Sequence, residues 1–459
     1  MSDQPKSRKL RLRSPQRDRV VPIPVRLEDW LPPNHLARLI WSAVCRLDLS
    51  GFERDLKIVE GHRGHPAADP RLMVALWIYA FSQGVSNARE LDRLCVEHLA
   101  YIWLCGGVSV NYHSLSDFRV KHQNDLDELM TQVLALLEEA GLVTYEKIAQ
   151  DGIRVRASAG AASFRRKPTL EKHLEEARQV VAQLKLQAEE RQSSEAETTT
   201  FDDDDDGGRS RGQAARERAA KERLARLEAA LDEIPSARAS KPPKKQDEAR
   251  VSTTDPEARV MKMADGGYRP AYNIQFAADS NNRVIVGVDV TNIGSDQGQA
   301  PPMEEQVEAR SGQVPDIWLM DGGFNKHSSI EALSEKEIVV YTPVPSPKDR
   351  ERDPHQALPK DSEKIAEWRL RMGTEEAKEI YKERASIIEW VNAQARSRHG
   401  LHQLRVRGLS KVKSIGLWIA VTHNLLILIK HNDGEVADVS VLPATEQVSP
   451  IAEVLEAIA

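Results

Sequence analysis

Cysteine is scarce in this sequence: 459 residues hold three, Cys45, Cys95 and Cys105, and none forms a CxxC pair. That argues against a disulfide framework or a structural zinc site and fits a reducing cytosol. No secretory signal opens the sequence, so a cytoplasmic protein is expected. Long apolar runs are missing too. The most apolar window, "IGLWIAVTHNLLILI" (415–429), falls short of the ~20 residues a bilayer needs and contains Thr422, His423 and Asn424. It reads as a helix buried in a soluble core, with His423 a satisfied core histidine rather than a ligand. Net charge is also small, at -6, so bulk charge selects no partner.

The distribution of charge says more than its sum. Residues 1–20 hold seven Lys or Arg against two Asp. Residues 390–432 contain no Asp or Glu, yet carry Arg396, Arg398, Arg405, Arg407, Lys411, Lys413 and Lys430. Local basic blocks of this kind either bind phosphate backbones or form solvated faces and tails.

Residues 21–145 read as mostly helical. "DPRLMVALWIYAFSQG" has an Asp cap, Pro in the first turn and a Gly stop. "SNARELDRLCVEHLAYIWLCGG" starts on Ser86 and ends on paired glycines. "HSLSDFRVKHQNDLDELMTQVLALLEEAGLV" opens with Ser114 three residues before Asp117, a capping-box-like start. Such helices suit either a helix-turn-helix-like module or a plain bundle. From 146 the pattern changes. "EKIAQDGIRVRA", "AYNIQFAAD" (271–279), "RVIVGVDV" (283–290), "DIWLMDGG" (316–323) and "EIVVYTPV" (337–344) read as strands, and helical patterns separate the later ones. This is an α/β order with a mixed sheet.

A charged insert, 165–250, interrupts the strands. Leu170, Leu174, Ala177, Val181, Leu184 and Ala188 form one narrow seam, and Ala220, Leu224, Leu227, Leu231 and Ile234 another. An antiparallel helical hairpin is expected, with "QSSEAETTTFDDDDDGGRSRG" as its exposed tip. The five aspartates there, Asp202–Asp206, repel one another and lack a fixed frame, so they read as a solvated loop rather than a metal site. His62 and His65, a lone HxxH in a Gly- and Pro-rich stretch, read as loop residues.

Three single acids have better settings. Asp151 lies within the first strand. Asp321 ends the run "IWLM" and precedes Gly322 and Gly323, where a side chain can leave the core. Glu389 lies in a strong helical run, and on a helical wheel it shares a face with Asn392, Arg396 and His399. Each alone reads as a surface charge or cap; the combination points elsewhere.

Together these residues resemble the DDE transposases of bacterial insertion sequences. The resemblance implies a ribonuclease-H-like mixed sheet with flanking helices, preceded by an all-α domain and carrying a helical-hairpin insert. Asp151, Asp321 and Glu389 would be the acidic triad. Tyr381, Arg384, Glu389 and Arg396 in "YKERASIIEWVNAQAR" match the Tyr-x-x-Arg, Glu, basic-residue signature, with four residues between Arg384 and Glu389 where three is commonest. The helical stretch from 60, "TTDPEARVMKMADGGYRPAYNIQFAAD" and "VRGLSKVKSIGLWIAVTHNLLILIK" extend the resemblance over most of 60–430. The expected organisation is a basic tail (1–20), a helical DNA-binding domain (21–145), a catalytic domain (146–435) holding the insert (165–250), and a C-terminal tail (436–459).

The resemblance further implies cleavage and joining of double-stranded DNA at terminal inverted repeats and a target site. The triad would bind Mg2+ or Mn2+, as two ions roughly 3.5–4 Å apart. Arg384, Arg396, Tyr381, Arg259, Lys262, Arg119 and Lys121 would contact DNA. Both ends must be held together, so a homodimer or larger assembly is expected on DNA. Two other classes stay open: a non-enzymatic DNA-binding scaffold derived from a transposase, and a plain Mg2+-dependent nuclease.

Overall fold

The computed structural model describes residues 26–54, 67–195, 206–347 and 352–432. The basic tail, His62, His65, Asp202–Asp205 and the C-terminal tail lie outside the described residues.

The N-terminal part is helical: α1 (Leu36–Val44), α2 (Ser50–Glu53), α3 (Pro70–Ser82), α4 (Ala88–Glu97), α5 (Leu99–Cys105), α6 (Tyr112–Lys121) and α7 (Gln123–Glu139). Helix α3 begins where the sequence places it. The Asp69 carboxylate accepts the Arg71 N–H at 2.7 Å, and Pro70 occupies the first turn, where its missing N–H costs nothing. Every residue from Leu72 to Ser82 is buried, so α3 is a central helix without a polar face. Four boundaries differ from expectation, the break between α6 and α7 at His122 among them. Asn87, not Ser86, caps α4, and the run breaks at His98, whose extended backbone and ring nitrogen cap α5. Ser114 lies inside α6, because the Asn111 side-chain Oδ1 already takes the His113 and Ser114 N–H groups at 3.1 and 3.0 Å.

The mixed sheet comprises β1 (Lys147–Arg156), β4 (Arg259–Lys262), β5 (Tyr268–Asp279), β6 (Ile285–Thr291), β7 (Ile317–Met320) and β8 (Val339–Tyr341). Its order is β4-β5-β1-β7-β8, with β6 also paired to β5. β1 is antiparallel to β5 and parallel to β7, and β7 is parallel to β8. This is the ribonuclease-H-like arrangement. The β1–β7 pairing ends at Gln150 and Met320. The next residue in each case is an aspartate, Asp151 within β1 and Asp321 directly after β7.

Helices α11 (Ala300–Ser311), α12 (His327–Glu335), α13 (Glu363–Met372), α14 (Glu375–Arg384), α15 (Trp390–Ser397) and α16 (Leu409–Asn432) flank the sheet. Helix α16 packs on β6, α7 and α3, so the helical layer and the sheet share one core. Trp418 meets Trp77, Phe81 and Phe118 there, with ring centroids 6.3–6.5 Å apart. α16 is long and apolar enough to cross a membrane, but 83% of its apolar window is buried within the fold. His423 on this helix is a core histidine: Nε2 lies 3.0 Å from the Arg283 carbonyl, and burial pushes its pKa down to about 4.

The insert is a helical hairpin of α8 (Lys167–Glu195) and α9 (Asp206–Asp232), followed by α10 (Ile234–Ala239). A separate core of Leu170, Leu174, Ala177, Leu227, Ala230 and Ile234 holds its base. The pair β2 (Phe164–Arg165) and β3 (Val251–Ser252) closes that base. The seam thins outward, where Leu184 and Ala188 are only half-buried. Both helices run further into the polar stretch than the seams indicate.

Candidate active site

Asp151 and Asp321 stand at the fork where β1 and β7 part. The Asp151 Oδ1 accepts the Gly152 N–H at 2.8 Å, and Oδ2 accepts the Asn392 side-chain amide at 3.0 Å. Burial first, and then the negative charge of Asp321, push the Asp151 carboxyl up to about 6. The Asp321 Oδ1 accepts the Gly323 N–H at 2.7 Å, and its carbonyl accepts the Thr342 hydroxyl at 2.8 Å. The turn after β7 thus fixes both the backbone and the carboxylate of Asp321.

Glu389 is linked to Asp151 through Arg384, by way of a local irregularity. Residues Ala385–Glu389 form a π-helical turn between α14 and α15. In a regular α-helix, residues five apart diverge by roughly 140° around the axis. A π turn, with its i to i+5 bonding, brings them nearly into line. The four-residue interval between Arg384 and Glu389 is absorbed this way, and Arg384 Nη2 meets Glu389 Oε1 at 2.7 Å. Arg384 Nη1 lies 4.0 Å from Asp151 Oδ2. The guanidinium therefore lies between Asp151 and Glu389, with its carbon 5.8 Å from the Tyr381 ring centre.

The donors here are carboxylate and amide oxygens, without thiolate or imidazole, which suits a hard divalent cation. Asn392 Oδ1 is buried beside Asp151 and has no hydrogen-bond partner. Burial first, and then the charge of Asp321, disfavour the ionised form of Asp151, which a neighbouring cation would favour. Glu389 is turned onto Arg384 instead, and among the described residues no three acid, His or Cys side chains already converge as a metal-binding group.

Two family models match the sequence: Transposase domain (DUF772) over residues 25–121, and Transposase DDE domain over 347–429. Both matches are to transposase domains, the second of them the DDE domain, and together they support an insertion-sequence DDE transposase. The second match includes Tyr381, Arg384, Glu389 and Arg396, whereas Asp151 and Asp321 lie outside both. No curated protein and no solved structure matches the chain.

The remaining expected DNA contacts of the transposase scatter. Lys262 and Arg396 are exposed. Lys121 is exposed and pairs with Asp117 on the same helix. Arg259 is tied to Glu233 and to the Pro256 carbonyl at 2.8 Å, anchoring the insert on β4. Arg119 is 4% exposed; its guanidinium lies 5.0 Å from the Trp77 ring centre and donates to the Ser86 carbonyl. It is packed inside the fold and presents nothing to phosphate at the surface. The Glu389 stripe is shorter than the helical wheel suggests. α15 ends at Ser397, and His399 turns inward to the Phe81 carbonyl at 3.2 Å, where burial holds its pKa down to about 3.

One acid near the fork escaped sequence reasoning. Asp296, in the loop between β6 and α11, is 7% exposed and lies close to both Gly152 and the Gly323 turn. A loop residue has no periodicity to mark it. The available signal was indirect: a glycine directly after Asp151, inside a strand, where glycine signals a close approach.

Proposed function

We propose that the transposase cuts and joins the ends of its element by metal-dependent phosphoryl transfer, with Asp151, Asp321 and Glu389 as its acids. The observation that carries this reading is the fork. Two aspartates remote in sequence stand at the same level of adjacent strands, and the π turn sets Glu389 on Arg384, whose other guanidinium nitrogen lies 4.0 Å from Asp151. Bound Mg2+ or Mn2+, as two ions, would supply an activated attacking oxygen and stabilise the leaving one. Asp151 and Asp321 would hold the cations, and Asn392 would keep Asp151 in place. Glu389 would complete the set by exchanging Arg384 for the cation. The released Arg384, beside Tyr381, would then take a phosphate of the DNA end. Gly322 and Gly323 leave the backbone open to close approach.

The partners of this reading are the terminal inverted repeats and the target duplex, gripped by exposed cations including Lys262, Arg396 and Lys121. The assembly is a homodimer or larger, and the location is cytoplasmic, on the nucleoid. The test is Asp321→Ala on DNA carrying the element's ends. Cleavage with Mg2+ should vanish while end binding stays nearly intact, and full cleavage by the variant would sink the assignment. Adding a second duplex separates strand joining from plain nuclease action.

A further inference from the structure

Asp296 is buried at the fork, yet nothing in the triad scheme uses it. Its Oδ1 accepts two amide donors, Asn273 Nδ2 and Gln275 Nε2, both at 2.7 Å. Oδ2 has only Arg154 Nη2, at 3.5 Å. Strand alternation places Gly152, Gln275 and Asn273 on the face of the sheet opposite Asp151. Asp296 therefore approaches the fork from the other side.

Space has been made for it. A Cβ built on Gly152 would lie 2.4 Å from Asp296 Oδ1, 2.3 Å from Gln275 Nε2 and 2.5 Å from Asn273 Oδ1. Any side chain at 152 would expel this group. On the far side of the fork, a Cβ on Gly323 would lie 2.9 Å from Asp321 Oδ1 and 3.4 Å from Asp296 Oδ2. The two carboxylates thus reach the same turn. A separate observation points the same way. Asn273 is fully buried, and its Oδ1 has no hydrogen-bond partner. Its amide is turned to donate to Asp296 although that leaves a buried oxygen unsatisfied. The surroundings therefore serve a carboxylate and leave its Oδ2 poorly matched, towards Asp321.

We propose that Asp296 is a fourth carboxylate of the cation site, lending negative charge from the opposite face of the sheet at the turn that carries Asp321. It is a positioning residue, acting on the cations through Asp321 and the Gly323 turn. The inference rests on the metal-dependent reading of the fork.

The test is Mn2+ binding to the full chain without DNA, by titration calorimetry, for the wild type, Asp296→Asn and Asp321→Asn. Asparagine at 296 keeps the size and an acceptor oxygen for Asn273 and Gln275, so a purely structural role would survive it. Binding by Asp296→Asn should weaken about 10-fold or more, the range seen for residues that support metal ligands. Asp296→Glu should recover part of that loss. Wild-type affinity in Asp296→Asn, with binding lost in Asp321→Asn, overturns the role of Asp296 and leaves the reading of the fork standing. Binding that Asp321→Asn does not disturb overturns both. Should Asp296→Asn fail to fold, Arg154→Gln withdraws the cation beside Oδ2 and should tighten Mn2+ binding severalfold; unchanged binding there also overturns the proposal.

Discussion

Replacing Asp151 with Asn should stabilise the metal-free transposase even as it removes cleavage. Burial, and then the charge of Asp321, lift the Asp151 carboxyl from 3.8 to about 6. A raised folded-state pKa means that the fold binds the proton more tightly than the unfolded chain does. Ionising Asp151 therefore works against folding. The penalty is absent below the unfolded value, grows as pH rises through the interval, and is complete above about 6. A shift of roughly two units at 1.36 kcal/mol each corresponds to about 3 kcal/mol. The side chain is 20% exposed, so solvent screening removes only part of this. Asparagine keeps an oxygen for the Gly152 N–H and drops the charge. Urea denaturation in EDTA should show the variant more stable by about 2–3 kcal/mol at pH 8, and within roughly 0.5 kcal/mol of wild type near pH 4. Mn2+ should narrow the gap at pH 8, because cation binding favours only the wild-type fold. Equal stability at pH 8, or a difference that acid does not remove, would refute the reasoning.

Arg119→Ala should lower stability by roughly 3 kcal/mol, through an emptied site beside Trp77, while Lys121→Ala stays within about 0.5 kcal/mol. Urea midpoints of the two variants check this, and a stable Arg119→Ala that only weakens DNA binding would contradict the buried placement. Gly152→Ala should cost about 1–3 kcal/mol by overpacking and should also lower the rate of Mg2+-dependent cleavage, because the new methyl displaces Asp296. A thermal melt and a cleavage assay read the two effects separately.

Much of the fold was legible because its elements advertise themselves through period. β1 alternates, β7 is a short apolar run with an aspartate at its end, and α3 carries its cap and stop in plain residues. What escaped has a common physical origin in contacts between distant segments. Strand β4 exposes Val260 and Lys262 and buries only Met261 well, too little alternation to detect. The breaks at His98 and His122 leave the apolar spacing on either side intact, so periodicity runs through them. The π turn is invisible as a turn, although its one-residue surplus between Arg384 and Glu389 was countable. Arg119 looked like a surface cation because charge is usually solvated; only the packing of α3 and α16 around it shows otherwise. Asp296 depends on a missing side chain at 152, which a sequence displays without saying what fills the gap.

The placement of α16 bears on how the chain is made. Leu409–Asn432 comes late in synthesis, yet it is the wall against which both α3 and β6 are built. Gly416 is where helix and sheet come closest, since a Cβ there would lie 2.9 Å from the Val288 side chain. Until the ribosome has delivered this helix, the sides of Trp77, Phe81 and Val288 that face it stay open. A chain that stops before Leu409 would therefore have its apolar interior open and be suited to proteolysis.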